Sequence, residues 1–358
     1  MKNIVMVLGI GINERGWAGV MSKHGRVVLI QLSSFEHVEI WENGTRIYNG
    51  PQKKISYWML RMDQGSFGVI FTFYRTLKLI LKHLRGEKAD LVLAAFPGSE
   101  LAVKLLQMFG RVHRTVAFLA DYLPARGPFL LRTHRRLANW LTKVATTLSD
   151  EVWVLSSRIS AKLNLKETHV MPVALSHFPV SAGPREEIGY IGYPSYDHAL
   201  DILFDISKRH NIRLNIIGNA PYLDSIRHLA PPQTVFHGLL NDEVRIGEIL
   251  AKCFCGYAIY RNVSSNSYSY YGFPSKTLYC FASNTPIVIT NVAEFNENFE
   301  KRGVGHVVPP EPAAIEAAIL DLKKNYADYS QAIDRFRVEW NIQVEAFHQE
   351  RISALLQK

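Results

Sequence analysis

Short apolar runs alternate with segments of helical periodicity along most of the chain. Runs typical of buried strands lie at 4–10, 27–32, 90–96 and 115–120 in the first half, and at 188–191, 213–217, 256–259 and 287–289 in the second. Between them, apolar residues recur every three to four positions, as in 67–84 and 242–251. Strands that are apolar on both faces are typical of parallel sheets covered by helices. The pattern predicts an α/β protein with two doubly wound, Rossmann-like domains that face a cleft.

A stretch rich in turn-forming residues separates the two halves. Residues 176–187 contain two prolines and a glycine, which interrupt helices and strands alike. At 358 residues the chain is long enough for two hydrophobic cores. We therefore expect an N-terminal domain over 1–178, a C-terminal domain over 185–338 and a last segment over 339–358.

The segment 264–290 combines three kinds of local pattern. A polar, aromatic loop is followed by a helix start at Pro274-Ser275-Lys276 and then by a short buried strand at 287–289. A helix N-terminus presents free N–H groups and a partial positive charge, so an added lysine makes a site for an anionic group such as a diphosphate. The alternative is that Pro274 is only an N1 proline and Lys276 a solvated surface charge.

This segment resembles the donor-binding segment of GT-B glycosyltransferases, which often reads Pro-x-Lys-x-x-Glu-Tyr-x-Ala-x-Gly-x-Pro-Val-Ile. The matching residues are Pro274, Lys276, Ala282, Pro286, Ile287 and Val288. Two positions differ, because Tyr279 replaces the glutamate that holds the nucleotide ribose and Asn284 replaces the glycine. Further motifs over residues 115–345 are similar to those of bacterial group 1 sugar-nucleotide transferases of surface polysaccharide synthesis. Trp340 matches a tryptophan found where, in these enzymes, the last helix crosses back to the first domain.

The resemblance implies GT-B architecture and a site in the C-terminal domain for a nucleotide sugar, which we expect to be UDP-linked. Gly192 lies where the family's backbone approaches the diphosphate, and 237–240 where the backbone holds the base. Many members add an arginine or lysine after the first glycine. Residues 193–198 hold no such cation, so Lys276 is expected to bind more of the phosphate. The candidate donor-binding residues are Gly192, Tyr193, Gly218, Asn219, His237, Gly238, Leu240, Tyr271, Ser275, Lys276 and Tyr279.

Candidate residues for the acceptor and for catalysis lie in the first half. Asp121 follows the strand 115–120, and ligands of open α/β sheets bind beyond the carboxyl ends of strands. Asp121 is therefore a candidate general base, the alternative being a turn or capping aspartate. Four residues in turns after the strands 4–10 and 90–96 are the candidate acceptor-binding residues: Gly11, Arg15, Pro97 and Gly98.

Charge is divided unevenly between the two halves. Residues 1–180 hold 24 Lys and Arg against 12 Asp and Glu, a net of +12, whereas residues 181–358 hold 17 against 20, a net of −3. A basic first half implies an anionic partner, of which nucleic acid and anionic lipid are the obvious kinds. No DNA- or RNA-binding motif is visible, so we expect no nucleic acid partner.

The basic residues of 126–148 lie among apolar and aromatic residues, as in a helix at the surface of an anionic membrane. Arg132, Arg135 and Arg136 are the candidate membrane-contacting residues, and the alternative is a packed helix with a solvated basic face. No run approaches the roughly 18 apolar residues that a membrane span needs. We expect a cytoplasmic protein that associates with the inner face of the membrane.

No metal ion or separate cofactor is expected. Three cysteines make no disulfide framework, Cys253-x-Cys255 lacks histidine partners for zinc, and there is no Asp-x-Asp metal motif. The nucleotide sugar is therefore expected as a substrate, and the diphosphate is stabilised by Lys276 and helix N-termini.

The expected function is metal-independent transfer of a sugar from a nucleoside-diphosphate sugar to a glycan or lipid-linked acceptor. The nucleoside diphosphate would leave the anomeric carbon, in an inverting or a retaining reaction. One alternative is a sugar-nucleotide epimerase or isomerase on the same architecture, because fold does not determine function. The other is a non-enzymatic module that binds an anionic surface through the basic half.

Overall fold

The computed structural model describes residues 2–8, 12–32, 35–51, 53–54, 66–95, 97–119, 129–175, 178, 183–240, 242–262, 264, 270–271, 274–292, 296 and 299–357. The chain divides into two compact units. Unit 1 is Met1–Ala174 together with Ile342–Lys358, and unit 2 is Leu175–Asn341. The first change of unit falls next to the turn-rich stretch 176–187, and of the expected last segment 339–358 residues 342–358 belong to unit 1.

Unit 1 is built on a nine-stranded sheet. Its strands are β1 Asn3–Leu8, β2 Arg26–Leu32, β3 Phe35–Glu42, β4 Thr45–Asn49, β5 Lys53–Lys54, β6 Ala89–Ala94, β7 Val112–Leu119, β8 Glu151–Val154 and β9 Thr168–Val170. They are arranged β4-β3-β2-β1-β6-β7-β8-β9, with β5 paired to β3. Strands β1, β2 and β6 to β9 run parallel, whereas β3 is antiparallel to β2, β4 and β5.

The helices of unit 1 cover this sheet with their apolar faces. They are α1 Ile12–Met21, α2 Ser66–Leu84, α3 Pro97–Met108, α4 Phe129–Leu148 and α5 Ser157–Leu163. In α2 the helical spacing buries Leu79 and Ile80 and leaves Lys78 and Lys82 exposed. The buried residues of α2 and α3 pack on aliphatic side chains of β1, β2 and β6, which form the core.

Unit 2 is built on a six-stranded sheet in which every strand is parallel to its neighbours. Its strands are β10 Glu187–Ile191, β11 Arg213–Ile217, β12 Val235–Gly238, β13 Cys253–Ala258, β14 Ile287–Ile289 and β15 Gly305–Val307. Their spatial order is β12-β11-β10-β13-β14-β15. The order therefore reverses between β10 and β13, as in a doubly wound sheet.

Helices cover both faces of the second sheet. The helices of unit 2 are α6 Leu200–His210, α7 Pro221–Ile226, α8 Glu243–Leu250, α9 Ser275–Ala282, α10 Phe299–Arg302, α11 Pro312–Lys324 and the first part of α12 Tyr326–Gln357, whose residues from Ile342 on belong to unit 1. One face packs on α6 and α11 through Phe204 and Ile319, and the other on α8 through Ile246 and Leu250. These two doubly wound α/β units confirm the predicted fold class.

The three cysteines are buried in unit 2. Cys253 and Cys255 lie on β13, and Cys280 lies on α9. Burial raises the pKa of all three thiols, and that of Cys280 reaches about 12. Such thiols are protonated and act as small apolar side chains of the core.

Candidate active site

The carboxyl ends of β10 and β13 mark the place in unit 2 where the strand order reverses. In open α/β sheets, ligands bind outside the carboxyl ends of the strands at such a switch point. Gly192 follows β10 directly, and Tyr260 lies two residues beyond β13. The topology thus places both residues at the position where a ligand is expected.

Glycines allow close backbone approach at this edge of the sheet. The φ angles of Gly192 and Gly218 are +138° and +137°, a region that favours glycine. A Cβ on Gly218 would lie 1.8 Å from the carbonyl oxygen of Gly192, and one on Gly192 would lie 3.0 Å from Cε of Lys276. The N–H of Gly218 donates to the carbonyl of Gly238 at 2.8 Å. The structure therefore brings together four of the predicted donor-binding residues.

Lys276 is buried at the start of α9. Pro274 is the N-cap and the exposed Ser275 is N1, so the proline lies one position earlier than expected. Lys276 is only 8% exposed, and the interpretation of its side chain as a solvated surface charge is wrong.

The Lys276 ammonium lies among aromatic rings. Its Nζ donates to Tyr260 Oη at 3.1 Å and lies 4.9 Å and 5.5 Å from the ring centroids of Tyr260 and Tyr190. Among the ion pairs of the described residues, none includes Lys276. Aromatic faces and one hydroxyl offset part of the cost of burying the ammonium. A buried cation without a carboxylate partner leaves the site electropositive and suited to an anion.

His198 completes this cluster, and the sequence analysis missed it. Its Nδ1 lies 3.0 Å from Tyr190 Oη and 3.2 Å from Ser195 Oγ, and its Nε2 lies 3.4 Å from Lys276 Nζ. Because the ammonium of Lys276 can only donate, Nε2 accepts and the ring proton lies on Nδ1. A hydrogen bond with the backbone of Tyr193 favours the protonated ring. Burial and the charge of Lys276 lower the pKa of His198 to about 3, against the opposing effect of the Tyr193 hydrogen bond. The imidazole is therefore neutral at physiological pH.

The other predicted donor-binding residues have varied surroundings. Tyr193 and Asn219 are exposed, and Tyr271 is buried with its ring edge-on to Tyr270. His237 Nε2 lies 2.9 Å from Asn215 Oδ1, and burial followed by the charge of Arg245 lowers the pKa of His237.

Leu240 and Tyr279 each pack on the face of the sheet covered by α8. Both are half-buried against an apolar cluster that includes Ile191 and Ile217, the residues directly before Gly192 and Gly218. The Tyr279 ring also lies 6.3 Å from that of Phe178. A ribose contact of Tyr279 stays a prediction.

Asn284 replaces a glycine at a position that asparagine tolerates. Its φ is +52°, in the left-handed region that Asn adopts more readily than most residues. Its side chain accepts from Arg337 and donates to Asp334 at 2.9 Å. The departure from the glycosyltransferase pattern therefore keeps the turn between α9 and β14.

The predicted residues of unit 1 lie in separate surroundings. Asp121 and Gly11 lie outside the described residues. Arg15 Nε donates at 3.0 Å to the fully buried carboxylate of Glu39, which also accepts from Arg46 at 3.0 Å. This ion cluster joins α1 to β3 and β4.

Pro97 and Gly98 begin α3. A Cβ on Gly98 would lie 2.2 Å from the carbonyl oxygen of Val69 on α2, so this glycine allows the two helices to pack closely. An acceptor-binding role of Arg15, Pro97 and Gly98 stays a prediction.

Exposed apolar side chains lie on two contacting helices of unit 1, α2 and α4. Trp140 on α4 is 59% exposed, and Ile70 and Tyr74 on α2 are 65% and 63% exposed. The predicted membrane-contacting residues lie on α4, where Arg132 and Arg136 are exposed and Arg135 is half-buried. None of the described helices is both long and apolar enough to cross a membrane. Within the described ranges, no three His, Cys, Asp or Glu side chains are grouped as metal ligands.

Two doubly wound α/β units, with glycine turns and a buried lysine at the switch point of the second, agree with the GT-B fold. Residues 187–325 match the family model described as "Glycosyl transferases group 1", which covers most of unit 2. The match identifies a group 1 glycosyltransferase domain in unit 2. A comparison with curated protein sequences finds no match.

Solved structures with the same fold span the whole chain. Sucrose-phosphate synthase from Thermosynechococcus elongatus aligns with a TM-score of 0.70 at 13% identity, over 99% of this chain and 100% of that one. HepE from Anabaena, in complex with UDP and glucose, aligns with a TM-score of 0.63 at 12% identity, over 100% of both chains. The lipopolysaccharide outer core galactosyltransferase WaaB aligns with a TM-score of 0.55 at 14% identity, over 98% of this chain and 100% of that one. At these identities the likeness shows the fold alone.

Proposed function

We propose that this glycosyltransferase moves a sugar from a UDP-linked donor to a glycan or lipid-linked acceptor in polysaccharide synthesis. The observation that carries the donor half is the buried Lys276 ammonium, which lies beside Gly192 at the switch point and has no described carboxylate partner. A diphosphate supplies the negative charge that this position favours.

The chemistry follows from where charge develops. As the bond to the anomeric carbon breaks, its electron pair leaves with the nucleoside diphosphate, and negative charge grows on the β-phosphate oxygens. A cation fixed beside these oxygens stabilises the transition state more than the ground state, so it raises the rate. We include metal independence in the proposal, because Lys276 and the N-terminus of α9 already offer positive charge to the leaving group.

The choice of nucleotide and pathway has support from relatives in fold. HepE is described with UDP and glucose bound, and WaaB as a lipopolysaccharide outer core galactosyltransferase. Because sucrose-phosphate synthase has the same fold, the fold does not distinguish one class of acceptor from another. Our choice of acceptor therefore rests on the surface of unit 1. We extend UDP and polysaccharide synthesis to this chain as part of the proposal.

The surface of unit 1 supports a lipid-linked acceptor at the cytoplasmic face of a membrane. Exposed aromatic and aliphatic side chains, Ile70, Tyr74 and Trp140, lie on helices that also carry exposed basic residues. Each basic residue near an anionic surface contributes about 1 kcal/mol, and the attraction fades over a Debye length of roughly 8 Å. Together they give reversible peripheral association.

Binding of nucleotides tests the donor half. UDP, GDP, ADP and CDP are each added to the protein, and its thermal unfolding is followed. A nucleotide at 100 times its Kd stabilises the folded state by about 2.7 kcal/mol, and we expect this of UDP. A response to none of the four contradicts the proposal. Product formed from UDP-sugar without an acceptor would favour the epimerase alternative.

Vesicle sedimentation tests the membrane half. We expect binding that needs anionic lipid and weakens with salt, and that charge reversal at Arg132, Arg135 and Arg136 abolishes. Charge reversal at Lys208 and Arg213, exposed residues of unit 2, is the control and should leave binding intact. If wild-type protein ignores anionic vesicles at low salt, a soluble acidic acceptor replaces the lipid-linked one.

A further inference from the structure

His198 is a titratable side chain at the donor site that the proposed chemistry does not use. Its Nε2 lies 3.4 Å from Lys276 Nζ, although the two residues are 78 positions apart in the chain. The segment that joins β10 to α6, residues 192–199, contains no Lys or Arg. His198 is therefore the side chain of this segment that can become a cation.

We infer that His198 takes up a proton when a nucleoside diphosphate binds beside Lys276, and so becomes a second cation of the donor site. This inference rests on the proposed function, because it needs the diphosphate at Lys276. One proton enters from solvent at Nε2 on binding, and it returns to solvent when the nucleotide leaves.

The orientation of the ring prepares it for this change. The ammonium of Lys276 can only donate, so Nδ1 carries the hydrogen and the lone pair on Nε2 points towards Lys276 Nζ. In the free protein this lone pair accepts weakly from the ammonium. Once phosphate oxygens attract Lys276, a protonated Nε2 donates a charge-assisted hydrogen bond to the same anion.

The groups that face His198 explain why it is neutral without a ligand. Lys276 faces it from α9, Tyr190 from β10 and Tyr260 from the residues after β13. Burial raises the pKa of Tyr190, so this ring brings no negative charge. Burial, and after it the positive charge of Lys276, therefore oppose protonation of His198.

A bound diphosphate reverses the sign of this local field. It places two or more negative charges beside Lys276, and a nearby opposite charge favours the protonated form of a histidine. By linkage, a site that takes up a proton on binding holds its ligand more tightly as the pH falls. The affinity for a nucleoside diphosphate is therefore expected to rise between pH 7.5 and pH 6.

Calorimetry with UDP tests the inference. Binding is measured at pH 6 in two buffers of different ionisation enthalpy, which gives the number of protons taken up per UDP. We compare wild-type protein with His198→Gln, which cannot be protonated, and with the matched control His228→Gln, which changes an exposed histidine of unit 2. Proton changes on UDP itself are common to all three and cancel in the comparison.

At pH 6, we expect wild type and His228→Gln each to take up at least about half a proton more per UDP than His198→Gln. Half a proton corresponds to a pKa of about 6 for His198 in the complex. The Kd of His198→Gln should also depend less on pH. If His198→Gln does not fold, His198→Asn replaces it, since the shorter amide also reaches towards Tyr190 and Ser195. UDP binding with equal proton uptake in all variants overturns the inference alone. Absence of UDP binding to wild-type protein overturns both the inference and the proposed donor site.

Discussion

Replacing Lys276 by methionine separates a binding role from a structural one. Methionine keeps most of the apolar chain that packs between Tyr190 and Tyr260, and it removes only the ammonium. In the absence of nucleotide, the lost hydrogen bond and aromatic contacts are offset by the lost cost of burying a charge. We therefore expect the free energy of unfolding to change by less than about 1 kcal/mol.

The effect on nucleotide binding should be much larger. A hydrogen bond to a charged group contributes about 1.5–3 kcal/mol, so the Kd for UDP should rise roughly 10- to 150-fold. Calorimetry gives the Kd, and urea unfolding without nucleotide gives the stability. Lys208→Met, at an exposed position of α6, is the control and should change neither. An unchanged Kd refutes diphosphate binding, and a stability loss above about 3 kcal/mol would make Lys276 a structural residue.

Three further substitutions test the surrounding structure. Glu39→Gln removes a buried carboxylate from Arg15 and Arg46, and should cost about 3 kcal/mol in urea unfolding at pH 7; a loss below 1 kcal/mol contradicts the buried ion cluster. Gly218→Ala forces a Cβ against a backbone oxygen at positive φ, and should cost about 3 kcal/mol or more, with loss of UDP binding; wild-type stability would contradict the observed turn. Burial, then His24, lowers the pKa of His348 to about 3, so stability falls by up to about 1.4 kcal/mol per unit as pH drops below 6.5. His348→Leu should flatten that decline, and an unchanged pH profile would show that His348 does not titrate as described.

The stability that Glu39 contributes falls as the pH falls, in the same direction as that from His348 but over a lower range of pH. Burial alone would raise the pKa of Glu39, but Arg15, Arg46 and the Trp41 hydrogen bond together more than offset it, and the pKa lies below its ordinary value. The stability from this carboxylate is therefore present above pH 4.5 and lost as the pH falls through the lowered pKa.

Periodicity was sufficient to predict the two sheets, because their central strands, such as β1, β6 and β13, are buried on both faces and their helices carry one apolar stripe. It could not predict the cluster around Lys276. His198, Tyr260 and Lys276 are far apart in the chain, and they meet because β13 lies beside β10 rather than beside β12. The spatial order of strands in a sheet produces no pattern among residues that are close in the sequence, so it could not be predicted from periodicity.

The candidate residues of unit 1 show a second reason why the surroundings of a site residue could not be predicted from the sequence. Arg15 follows a glycine turn, which suggested a ligand contact, but its partner Glu39 comes from a neighbouring strand. A charge in a turn looks the same in the sequence whether it binds a ligand or a buried carboxylate. Only the pairing of β2 with β3 brings Glu39 towards α1.

All three cysteines of the chain lie in unit 2, so thiol modification can report on the opening of this unit. A thiol reagent reacts with the thiolate, so protonated and buried thiols are modified only when unit 2 opens. The rate of modification therefore times the opening of unit 2 alone, without an engineered label. Because Cys280 lies on α9 with Lys276, a nucleotide bound there should slow its modification in proportion to occupancy.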